Sequence, residues 1–189
     1  MKNPIQFGII AGLVYLISIL PELTIEAVSS EYGFDGNTQF LYATIHLLCL
    51  ISAVIFYRAF ILMADYYFNN TLWFGTVMTL VTIVIYHALK IFYDDTSEDV
   101  QKLMGLGYLL VIGGSTVVFG YGLMQIQGKL RSFAWKVGVV EIATGIFCLT
   151  IVLAFFALIL TVPVILLEIA LLRRFLPEYN GGIMAEPVQ

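Results

Sequence analysis

The chain has 189 residues, 60% of them hydrophobic and 12% charged, with nine Lys and Arg against thirteen Asp and Glu. A soluble domain carries about twice that charged fraction, and a chain this short has too little interior to hide so much apolar side chain from water. Lipid is the solvent these numbers require, and with no basic run or aromatic–basic interleaving, nucleic acid is excluded as a partner.

A helix needs ~20 apolar residues to cross ~30 Å of hydrocarbon. The first such stretch covers residues 4–22 and ends at Pro21-Glu22. Lys2, the run Ile5–Leu20 and Ala27-Val28-Ser29 have the outline of a cleavable signal peptide. A retained helix is the better reading, because the basic region is a single Lys. Gly8-Ile9-Ile10-Ala11-Gly12 also forms a GxxxG face suited to close helix packing.

Further spans are predicted at 40–64, 71–92 and 103–126, followed by an apolar run from Val137 to Leu172. At ~1.5 Å per residue that run is about 54 Å of helix, too long for one crossing. It is either two helices with a turn near Phe155–Leu160 or one helix broken at Pro163. Basic residues favour the cytoplasmic side. Six crossings with both ends inside place Lys2, Arg58, Lys129, Arg131, Lys136, Arg173 and Arg174 there, leaving Lys90 and Lys102 outside. The outer loops then hold Glu22, Glu26, Glu31, Asp35, Asp94, Asp95, Glu98 and Asp99. The expected fold is all-α, a polytopic bundle of about six helices over residues 1–175. Residues 176–189 are expected to form a mobile cytoplasmic tail.

Sliding the chain by 63 residues aligns spans two and three with four and five, matching among others Ser52 with Ser115, Phe56 with Phe119 and Gly75 with Gly138. Such a register match implies duplicated hairpins forming a four-helix core flanked by spans one and six. Ile10-Ala11-Gly12-Leu13-Val14-Tyr15-Leu16-Ile17 at the start, and Pro163-Val164-Ile165-Leu166-Leu167-Glu168 with Leu171-Leu172-Arg173 near the end, loosely resemble small multi-pass bacterial membrane proteins of unknown function. That resemblance implies a prokaryotic plasma membrane and a compact bundle, and it implies no activity.

Charges inside a span are expensive and face a bundle interior or a cavity. Arg58, Glu141 and Glu168 fall at similar depth near the cytoplasmic side, with Asp65 two turns beyond Arg58. The expectation is that Arg58 pairs with Glu141, Glu168 or both. A pair that fixes helix register, or charges that snorkel to the interface, is the first reading; a proton or solute site is the second. His46 and His87 fall in the outer halves of spans two and three and invite a bis-imidazole haem or a metal. Counted from a turn near Asn70 they lie about 10 Å apart along the axis, so satisfied core histidines are expected and no cofactor is assigned.

Cys49 and Cys148 read as small core residues. Gly105, Gly107, Gly113, Gly114, Gly120 and Gly122 read as helix-packing faces. Asp94-Asp95-Thr96-Ser97-Glu98-Asp99 reads as the capped start of the fourth span. There is no Ser-His-Asp order, HExxH or phosphate loop, so an enzyme is disfavoured. The function expected is a non-catalytic subunit of a membrane assembly, partnered by other membrane proteins or its own copies. The alternative is a small-solute or ion transporter using Arg58, Glu141 and Glu168.

Overall fold

A computed structural model describes residues 3–32, 36–92, 98–150 and 154–184. Six α-helices account for nearly all of them: α1 (Pro4–Tyr32), α2 (Gly36–Tyr66), α3 (Asn70–Phe92), α4 (Glu98–Met124), α5 (Arg131–Leu149) and α6 (Ala154–Met184). A single 3-10 turn, Gly128–Leu130, precedes α5. Five helices are long and apolar enough to cross a membrane, and α1 contributes the shorter apolar stretch Pro4–Ile19. Each helix satisfies its own backbone, which is what a spanning segment must do in lipid. The chain is an integral membrane helical bundle.

The bounds correct the sequence reading in three places. Pro21 does not end α1, which runs on to Tyr32. The long apolar run divides after Leu149, ahead of the expected Phe155–Leu160 turn, and Pro163 sits inside α6. A proline in a membrane helix is tolerated because neighbouring groups re-satisfy the freed carbonyl. The expected tail is helical as far as Met184. The proposed cap at Thr96 or Ser97 lies outside the described residues.

Each helix packs on its sequence neighbours, and α1 packs on α6, so the six close into a ring. The outer spans, expected as flanks, therefore complete the wall. Glycine makes the closest approaches. Gly113 faces Gly145 and Gly120 faces Gly138 across α4–α5, where an added Cβ would strike the opposite carbonyl. Gly8 of the GxxxG face meets Ala59 of α2, and Gly12 meets Phe56.

One end of the ring is tied by polar contacts between turns and termini. The Asn69 side chain accepts the Leu72 N–H at 2.9 Å, capping α3, and donates to the Gly122 carbonyl at the end of α4 at 2.8 Å. Tyr67 donates to Glu178 at 2.5 Å, and Asn3 at the start of α1 donates to Asn180 of α6. Both ends of the described chain thus lie at this same end. Above it the interior is solid: Phe56, Phe60 and Phe119 meet edge to face, with Met63, Leu123, Leu172 and Phe175 fully buried around them.

Candidate functional site

Beyond that plug the ring encloses a cavity of about 470 Å³ to which all six helices contribute. The volume is that of a small-molecule site. Its wall is mainly apolar, with the hydroxyl groups of Tyr15, Tyr57, Tyr108, Thr79, Thr116 and Thr161 placed among the aliphatic side chains. Acidic side chains stand at both ends.

At the plugged end are Glu141 of α5 and Glu168 of α6. Each lies on its helix's inward stripe: Ala134, Val137, Glu141 and Thr144 on α5, and Ile165, Glu168, Leu172 and Phe175 on α6. Both are essentially inaccessible to solvent, and each is near enough to act electrostatically on the other. Two neighbouring carboxylates in a low-dielectric interior repel when both are ionised, so a pair placed this way is suited to hold a proton between them. Glu141 Oε1 and Glu168 Oε2 have no partner among the described residues.

Equal depth does bring the two glutamates together, but Arg58 does not join them. The buried stripe of α2 runs through Cys49, Ala53, Phe56, Tyr57, Phe60 and Met63, and Arg58 stands off it, exposed. One residue beyond Tyr57 is a rotation of ~100°, enough to turn a side chain from cavity to exterior. Asp65 is likewise exposed, close to the α2–α3 turn.

At the other end, His46 and His87 meet. Their Nδ1 atoms are 2.8 Å apart, which overturns the expected separation. The turn residues 67–69 add no rise along the axis. His46 is twenty residues before the end of α2 and His87 seventeen after the start of α3, an offset of only ~4.5 Å that two imidazoles span. Nδ1 atoms this close leave no room for a porphyrin between them.

The third member was not singled out from sequence. Glu22, read as a loop acid beyond Pro21, is buried inside α1. Its Oε1 lies 3.3 Å from His46 Nδ1 and 3.7 Å from His87 Nδ1. The signal was present as spacing: Ala11, Tyr15, Ser18 and Glu22 form one buried stripe through the proline. Cys49 donates to Glu22 Oε2 at 3.2 Å, and Tyr42 packs its ring edge against His46 at 4.2 Å. Tyr15, two turns before Glu22 on the same stripe, also lines the cavity.

No family model matches this chain, and neither a curated protein nor a solved structure matches it.

Proposed function

We propose that the protein is a proton-coupled carrier of a small solute, with the six-helix cavity as its binding site. The observation that carries this reading is the cavity ending on two adjacent buried carboxyl groups, Glu141 and Glu168, inside a membrane bundle. Buried acids inside a membrane bundle are the usual parts of proton relays. The wall offers hydroxyl donors and acceptors without a lysine or arginine among its lining residues, which suits a neutral or cationic solute. Solute entry from the His46–His87 end and proton release toward the plugged end would require Phe56, Phe60 and Phe119 to move apart.

The plugged end, where the ends of the chain gather, is assigned to the cytoplasm of a prokaryotic plasma membrane on the strength of Lys129, Arg131, Arg173 and Arg174 nearby. A reporter fused after Arg174 is expected to be cytoplasmic.

The test uses the full chain in liposomes loaded with a pH-sensitive dye, screened against neutral and cationic solutes under an imposed pH gradient. Solute-dependent proton flux that disappears in Glu141→Gln and Glu168→Gln supports the carrier. Flux that survives both substitutions, or none with any solute, refutes it.

A second reading, a non-catalytic subunit of a membrane assembly or homo-oligomer, has α4 in its favour. It is the least buried of the five long spans, and Gly105, Gly107 and Gly114 face open space. Stoichiometric co-purification of a partner that covers this face is its test.

A further inference from the structure

We propose that Glu22, His46 and His87 form a binding site for a borderline divalent metal ion of the zinc type at the end of the cavity away from the plug. Three atoms converge there: His46 Nδ1, His87 Nδ1 and Glu22 Oε1, separated by 2.8, 3.3 and 3.7 Å. A triangle with those edges has its centre about 1.9 Å from each corner, so an ion lifted slightly from the plane sits at the 2.0–2.2 Å of zinc–imidazole and zinc–carboxylate bonds. Three helices are needed to bring these atoms together, and the packing that does so buries all three residues.

The donor set selects the ion class. Two imidazole nitrogens disfavour Mg²⁺ and Ca²⁺, which take oxygen ligands. Two histidines and one carboxylate suit Zn²⁺, Fe²⁺ or Co²⁺ and leave at least one coordination position for water or solute. Glu22 and His87 line the cavity, so an ion held here would border the space where a small molecule sits. The supporting groups are in place. The Cys49 thiol holds the second oxygen of Glu22, and the Tyr42 ring braces His46; contacts of this kind orient ligands in metal sites. Without an ion, one ring nitrogen must carry a hydrogen toward the other, and the carboxylate stands beside both. A cation satisfies all three at once.

The inference does not rest on the carrier reading, because it concerns equilibrium binding alone. The test takes the full chain in detergent, free of any histidine tag, stripped with chelator and titrated with Co²⁺ and then Zn²⁺. One Co²⁺ per chain is expected, with the visible ligand-field absorption of a low-coordinate nitrogen–oxygen site, displaced by Zn²⁺. Glu22→Gln, His46→Ala and His87→Ala should each weaken binding by at least about tenfold, while Asp65→Asn, far from the site, binds as the parent does. Parent protein that is monodisperse and takes up no stoichiometric metal overturns the proposal, whatever the variants do. So does binding that survives all three ligand substitutions.

Discussion

His46 Nδ1 and His87 Nδ1 stand 2.8 Å apart, joining the N-terminal half of α2 to the C-terminal half of α3 inside a membrane bundle. A polar contact this deep carries a penalty when half of it is removed, because the partner left behind has no water to turn to.

His46→Ala and His87→Ala are each expected to destabilise the protein by about 1–3 kcal/mol. The double variant should lose less than the sum, with a coupling energy of about 0.5–3 kcal/mol. Thermal unfolding in detergent, read by a double-mutant cycle, measures it. Strict additivity would mean that the two rings do not interact.

The carboxyl pair should discriminate shape from charge. Glu141→Gln keeps a donor and an acceptor at the Glu168 side chain, so stability should fall by less than about 1 kcal/mol, whereas Glu141→Ala strands Glu168 and costs about 1–3 kcal/mol. Arg58→Ala, at an exposed position away from both, should stay within about 0.5 kcal/mol of the parent. A large loss at Arg58 would restore the ion pair that the geometry denies.

Glycine substitutions separate the two faces of α4 and its partners. Gly138→Ala drives a Cβ into the Gly120 carbonyl and Met124, and should cost about 1–3 kcal/mol through strain. Gly107→Ala meets open space and should leave stability unchanged or raise it by about 0.5–1 kcal/mol, since alanine is the better helix former. Melting temperatures of the two variants decide the point.

At the tied end, burial first, and then the hydrogen bond to Glu178, pushes the Tyr67 phenol above its ordinary value near 10. A phenol raised on folding contributes its stabilisation fully below about pH 10 and loses it as pH rises toward the folded value. Tyr67→Phe should therefore lower stability by about 1 kcal/mol at neutral pH. It should also flatten the decline of the parent above pH 10. A parallel decline in both proteins would show that Tyr67 is not the group involved.

Membrane embedding and the number of helices were legible in the sequence, because a spanning helix needs only its own length and its own hydrophobicity. The shared depth of Glu141 and Glu168 was legible too, since depth follows from residue count along an axis. Rotation about that axis was also recoverable: Arg58 lies off the apolar stripe that Phe56, Tyr57 and Phe60 define, and Glu22 lies on the one that Ala11, Tyr15 and Ser18 define. Reading Pro21 as a terminus hid the second.

The tertiary structure alone decided which helices are neighbours and how their offsets add up across turns. The ring closes through α1 against α6, a contact between segments more than a hundred residues apart that hydropathy does not encode. The joining of Glu22 to two histidines depends on that arrangement of three helices. Hydrophobic periodicity fixes which side of a helix faces inward; only packing fixes what it faces.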